Sequence, residues 1–414
     1  MPLSATHPLT PGRPTVAAAA ICLLQFGIVA NVHALQRVTR DDAVAAALAT
    51  APRATLLRAD SAAAYARVTT ARQWENPTAS ASYSKAVPSQ HYAINLPLDF
   101  PWLRGPRIGS ADAAAGAARW RYQFDRAALG FEADTAYTRA LAAASRAELS
   151  RDNLLAADSL VVLARLRRDA GDGTDLDVQL AEVNAGQLAN RAADDSLERS
   201  SAVLAVQALM GLPADRVTIT LADSLGAPPP ADSGRAGEPL LVAVAADVER
   251  SAELAATLER RRVYGSASFA AGFETGDPSL PPGVLPTIGI AIPFPVFNRN
   301  SGAVQLADAE RERARAGLAL ARIETASQVT RARRALTLAL ARVARDRRLL
   351  DGARRVSSLS LLAYREGAAA LPSVLEAHRT AREALATYID DVAAAHRAAG
   401  LVKLLTLTAT RTQP

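Results

Sequence analysis

The 414-residue chain contains one cysteine, Cys22, and two lysines, Lys85 and Lys403. A single thiol excludes a disulfide framework and a zinc–thiolate centre built within one chain. Aromatic residues make up only 5% of a chain that is half apolar. Alanine fills the gap, and alanine favours helices packed closely through many small contacts. So high an apolar fraction excludes a disordered chain. The formal charge is +6, from 47 basic and 41 acidic residues, too small a surplus over this length to indicate a nucleic-acid partner. No Ser/His/Asp set, phosphate-binding loop or metal-ligand cluster is present, so neither an enzyme nor a resident cofactor is expected.

Beyond Val16–Ala30 there is no long apolar run, so no transmembrane helix is expected in the rest of the chain. That run spans 15 residues, is followed by Val32-His33-Ala34, and fits a secretory signal at residues 1–34 cleaved after Ala34. Cys22 lies inside it and leaves with it. Of the remaining histidines, His91, His378 and His396, the last two are eighteen residues apart. On one helix they would share a face, yet lie roughly 27 Å apart, too far to share a metal. Both are expected to be solvated. The arginine-rich run 311–347 is interspersed with Glu312, Glu324 and Asp346 and is expected to form a solvated, ion-paired helix face.

The chain repeats itself. At an offset of 196 residues, Pro97 matches Pro293, Gly171 matches Gly367, Val178 matches Val374 and Asp194-Asp195 matches Asp390-Asp391. A Pro/Gly-rich linker, 226–239, separates a first unit (35–225) from a second (240–414). Each unit has the same order. A helical stretch (41–72; 239–262) leads into a β-hairpin (77–98; 264–294). A long proline-free helix (about 107–168; 301–364) follows, then a break at glycine, then a returning helix.

In the hairpins Tyr92, Ile94, Leu96 and Leu98 alternate with Ala93 and Asn95, and Ile288, Ile290 and Ile292 with Gly289 and Ala291. This is the period of a strand with one apolar and one polar face. Two readings fit: a β-patch on a soluble helical protein, or membrane strands with lipid on one face and water on the other. Trp74, Tyr83, Tyr92, Phe100, Trp102, Phe273, Phe294 and Phe297 fall near strand ends, where interfacial aromatics would lie. Four strands cannot close a membrane barrel, so the second reading requires several chains.

IPFPVFNRNSGAVQLADAE (292–310), YREGAAALPSVLEAHRTAREA (364–384), RDAGDGTDLDVQLAE (168–182) and ENPTASASY (75–83) together resemble the TolC family of outer-membrane efflux proteins. The Asn-Arg-Asn after a Pro-rich apolar strand looks most like its heavy-metal (cobalt-zinc-cadmium type) branch. The resemblance covers nearly the whole chain after residue 34. It implies a mainly α fold with a small β part: long coiled helical hairpins plus four membrane strands per chain. A homotrimer would pool twelve strands in an outer-membrane barrel above a periplasmic helical tunnel. The partners implied are outer-membrane lipid, a periplasmic adaptor and an inner-membrane pump; the protein itself would be a passive conduit. The alternative is a periplasmic coiled-coil adaptor or scaffold with no barrel. By resemblance, Tyr364 and Asp177 match positions that hold the periplasmic entrance closed, and Glu376 an acidic position at the constriction. Ser373 stands where a second acid is expected, and Ala369 where a basic partner is expected. As local structure, Gly171 and Gly367 would end helices, and Asp175 or Ser373 would start the next ones.

Overall fold

A computed structural model of the chain describes residues 36–228, 237–265, 267–277 and 284–410. The signal reading at 1–34, most of the 226–239 linker and the tip of the 264–294 hairpin lie outside these residues.

Four long helices dominate: α3 (Pro101–Asp169), α4 (Asp175–Leu209), α6 (Ser301–Arg365) and α7 (Leu371–Leu405). α3 has 69 residues and so reaches roughly 100 Å. α4 packs on α3 and α7 on α6, while α3 and α7 join the two hairpins. Alanines allow this close approach: Ala140, Ala164, Ala181 and Ala395 are at most 1% exposed. Among the described residues no helix is long and apolar enough to cross a membrane.

Three shorter helices flank the bundle. The stretch expected as one helix over 41–72 is two, α1 (Arg40–Ala49) and α2 (Pro52–Arg72). Pro52 causes the break, because proline disfavours helical geometry in the residue before it and Ala51 is extended. Thr39 caps α1: its hydroxyl accepts from the Asp42 amide, and the Asp42 carboxylate accepts from the Thr39 amide. α5 (Leu240–Arg261) lies against α3 and α6.

Two three-residue strands, β1 (Gln36–Val38) and β4 (Ile219–Leu221), pair in parallel beside α1, α3 and α4. Tyr137 is fully buried there, and its hydroxyl donates to the Val38 carbonyl at 2.8 Å. The buried Gln207 amide donates to the Pro213 and Arg216 carbonyls and accepts from the Thr218 amide, which fixes the approach to β4. Neither strand is long enough to show alternation in the sequence.

The other sheet contains β2 (Thr78–Tyr83), β3 (Gln90–Pro97), β5 (Ser268–Thr275) and β6 (Val284–Ala291), antiparallel in the order β2-β3-β5-β6. The register puts Ala79, Ile94, Ala271 and Ile288 in one row, and Leu96, Phe269 and Ile290 in another on the same face. Ser80, Ala93, Gly272 and Thr287 form a row on the opposite face, with Ser82, His91, Glu274 and, at the β6 edge, Leu285 in the row beside it. The sequence alternation has thus become an apolar face and a small or polar one. β2 and β6 are the sheet's two edges, each with one neighbour in the chain.

Candidate functional site

Two regions carry the chemistry read from the sequence: the four-stranded sheet and the tips of the helical hairpins. The sheet joins the helices through two tight corners. At the β3–α3 corner, Asp99 accepts from Arg104 at 2.8 Å and Arg107 at 2.5 Å, and these guanidiniums also donate to the Arg72 and Ala71 carbonyls at the end of α2. At the β6–α6 corner, Asn300 takes a left-handed backbone (φ 58°) that asparagine tolerates. Its side-chain amide donates to the carbonyl and carboxylate of Glu259, and its backbone amide donates to the Asn298 side chain. The Asn-Arg-Asn motif therefore turns the chain from strand to helix.

The apolar face is exposed within the chain: Ile288 is 78% and Ile290 66% exposed. Near one end of the sheet, Phe100 stacks on Trp102 at 4.3 Å and the Arg104 guanidinium lies over Trp74 at 4.7 Å. On the sheet itself Tyr92 stacks on Phe273 at 5.0 Å. On the polar face His91 Nδ1 lies 3.1 Å from Glu274 Oε1.

At the tips, α3 and α6 end in the same way. Gly171 (φ 83°) and Gly367 (φ 74°) occupy the left-handed position. The amides of Asp172 and Ala368 reach back to the Arg167 and Ala363 carbonyls, closing a Schellman motif on each hairpin. The next helices start slightly earlier than expected. Thr174, rather than Asp175, caps α4, and Asp177 completes that cap by accepting from the Thr174 amide at 3.1 Å. Ala370 caps α7; Ser373 lies in its first turn and is exposed.

Tyr364 is 3% exposed, in a cluster with Leu160, Ala164, Val178, Leu371 and Val374 that draws on all four long helices. Burial raises its hydroxyl pKa; the nearby Asp177 charge adds to this and Arg167 opposes it. Among the described residues the Tyr364 hydroxyl makes no hydrogen bond, and Asp177 is engaged in its cap. The residue that links the tips is Arg167. Its guanidinium donates to the Tyr364 carbonyl and to the Asp172 carbonyl, and lies over the Tyr364 ring at 4.7 Å.

Glu376 is exposed on the first turns of α7. Arg379 donates to it at 2.6 Å and to Glu383 at 2.8 Å. The first of these bonds and the Arg379 charge hold the Glu376 carboxyl below the usual glutamate range. Ala369 donates its amide to the Ala363 carbonyl and contributes no charge. The structure thus adds Arg167 and Arg379 to the residues singled out from the sequence.

The histidines are not solvated as expected. His396 is 9% exposed and its Nε2 lies 2.6 Å from the Gly226 carbonyl, beside Arg40 and Asp134. His378 is partly buried, its Nδ1 3.0 Å from the Ser357 hydroxyl. Burial lowers the pKa of both. Nor is the 311–347 run broadly ion-paired. Within it Arg311 meets Asp308 and Glu312, and Arg342 approaches Asp391 at 3.9 Å; the other arginines make no ion pair among the described residues.

No protein-family model matches the chain. It is 27% identical over 291 residues to the nickel-cobalt-cadmium resistance protein NccC of Alcaligenes xylosoxydans xylosoxydans, covering 67% of this chain and 65% of NccC. It is 26% identical over 324 residues to the nickel and cobalt resistance protein CnrC of Cupriavidus metallidurans, covering 75% of this chain and 76% of CnrC. The match thus spans just under two thirds of NccC's length. Among solved structures, the Campylobacter jejuni CmeC outer membrane channel superposes with a TM-score of 0.78 at 13% identity, covering 89% of this chain and 85% of that one. The chain has the fold of the TolC-family outer-membrane channels.

Proposed function

We propose that this protein is the outer-membrane channel of a tripartite efflux system: a homotrimeric conduit rather than an enzyme. One observation carries the reading. A four-stranded sheet with one apolar face, one polar face and two open edges adjoins helices α3 and α6, each roughly 100 Å long. Lipid permits no open sheet edge, so three copies pooling twelve strands form a closed barrel in the outer membrane, with the helices as a periplasmic tunnel. A barrel-free adaptor would have no use for the exposed apolar face. Two units, 35–225 and 240–414, each supply two strands and one helical hairpin after removal of a signal at 1–34. An inner-membrane pump and a periplasmic adaptor complete the system at the hairpin tips. The names of NccC and CnrC support heavy-metal cations of the nickel, cobalt and cadmium kind as cargo.

Three measurements test this. The protein should fractionate with the outer membrane and migrate heat-modifiably, its detergent-solubilised mass should be three times that of the chain, and its loss should lower tolerance to nickel or cobalt. A stable monomer without a heat-modifiable form would overturn the reading.

The tips form the entrance in this proposal. Gly171 and Gly367 turn the hairpins, Tyr364 and Asp177 belong to the closed state, and Ser373 and Glu376 face the narrow axis. Each Glu376–Arg379–Glu383 cluster carries a single net negative charge. Cation preference should therefore be modest, should vanish in Glu376→Gln, and should rise in Arg379→Gln, where two carboxylates lose their partner. Because Arg379 lowers the Glu376 pKa, the Glu376 share of that preference should persist as pH falls from 7 to about 5. Reversal potentials in planar bilayers measure this; identical selectivity in all three proteins would remove Glu376 from the conduction path.

A further inference from the structure

We infer that the trimer closes through charge-complementary helix edges, with an acidic α4 seam on one copy meeting a basic α6 seam on the next. This rests on the homotrimer proposed above and adds the surfaces and the register. Within the chain, α4 and α6 are the outer helices of the two hairpins, since α3 and α7 make the junction between them. Each bears a second apolar seam that is left uncovered among the described residues. On α4, Leu176, Val183 and Leu197 fall on one seven-residue row, each more than half exposed. On α6, Leu338 and Leu359 lie on one such row and Leu349 and Val356 on the adjacent one, again more than half exposed. Seven-residue spacing is that of a coiled-coil seam. The Leu338 row lies opposite the α6 row that packs on α7, which includes Leu336, Val343 and Leu350, and the Leu349 row lies about a quarter-turn from it.

The seams differ in charge. α6 carries 14 arginines and 6 acidic residues, whereas α4 carries 6 acidic residues and 2 arginines. Arg345 lies seven residues after Leu338, and Asp194 three before Leu197, so each charge sits in its seam. Both are exposed, and neither makes an ion pair among the described residues.

Their heights agree. Asp194 lies 20 residues above the α4 cap, Thr174, and Arg345 lies 21 residues above the α6 cap, Glu366. At 1.5 Å per residue these are roughly 30 and 32 Å from the tips. The two tips are level in the chain because Arg167, at the end of α3, bonds the Tyr364 carbonyl at the end of α6. Rotation about an axis along the helices leaves height unchanged. A cyclic trimer therefore brings Asp194 of one copy to the level of Arg345 of the next. Unlike edges meeting head to tail are what close a ring. Like edges, α6 on α6, would place arginine seams against each other.

The test is charge reversal in the full-length protein, purified in detergent. Wild type should be trimeric; a monomer would overturn the homotrimer itself. Asp194→Arg and Arg345→Asp should each raise the protein concentration at half-dissociation roughly tenfold or more, the effect of three equal interfaces acting together. The double variant should return to within about twofold of wild type. Added salt at about 1 M, which shortens the screening length to about 3 Å, should shrink the difference between single variants and wild type. A trimeric wild type with single variants that dissociate no more readily would overturn the charged-edge register while leaving the homotrimer standing. A double variant as weak as the singles would overturn it too, since the loss would then come from damage within each subunit.

Discussion

Replacing Ile288 with arginine should weaken membrane insertion by about 2–4 kcal/mol, the penalty for a cation on the lipid face near the bilayer midplane of a β-barrel. Ile288 is the residue for this test because it lies at the middle of β6 and is the most exposed apolar side chain of the sheet. Its cross-strand partner Ala271 cannot cover it. Val284, at the end of β6, should cost about 0–1 kcal/mol for the same change, because the penalty fades toward the interface. Thr287, one residue from Ile288 on the polar face, should accept arginine with little loss if that face meets water. Urea titration of folding into lipid vesicles reads all three. Equal effects at 287 and 288 would mean that the two faces do not see different solvents, and the barrel would fall.

That contrast between neighbours is why the sheet is legible in the sequence. A period of two needs no partner to be seen, and it marks a hairpin at 77–98 where the sheet has β2 and β3. Long proline-free stretches likewise marked α3 and α6. The sequence was least informative where a short element depends on distant support. β1 and β4 have three residues each and persist because Tyr137, about a hundred residues away, donates to Val38. His396 looked solvated because the Gly226 carbonyl that receives it lies 170 residues earlier. At the tips, the glycines were legible because only their φ matters. Arg379 was within reach of sequence reasoning, three residues after Glu376 on one helix face. Arg167 was not, since its contact with Tyr364 spans 197 residues between repeats.

In the proposed channel, Arg167 is accordingly where a closed entrance should be most sensitive. Arg167→Ala should shift the channel strongly toward open. The variant loses a charged donor to the Tyr364 carbonyl, worth about 1.5–3 kcal/mol. It also loses a cation–π contact with the Tyr364 ring, worth about 0.5–2 kcal/mol in a partly desolvated site. In the proposed trimer three copies would open together, so the loss per channel would be about 6–15 kcal/mol at face value. Moving a two-state gate from 1:99 to 99:1 takes only about 5.5 kcal/mol. Even if water replaces half of each contact, the resting state should change. Tyr364→Phe removes a hydroxyl that makes no hydrogen bond among the described residues, so it should act through a bond made between copies. Single-channel recording should therefore show a large rise in conductance for Arg167→Ala. For Tyr364→Phe it should show either no change, meaning that Arg167 alone holds the tip, or a smaller rise, meaning that the hydroxyl reaches a neighbouring copy. Arg167→Lys should fall between Ala and wild type, because it keeps the charge but cannot fork between the Tyr364 and Asp172 carbonyls. Wild-type conductance in Arg167→Ala would show that the link between hairpins belongs to the fold and that the entrance is held shut elsewhere.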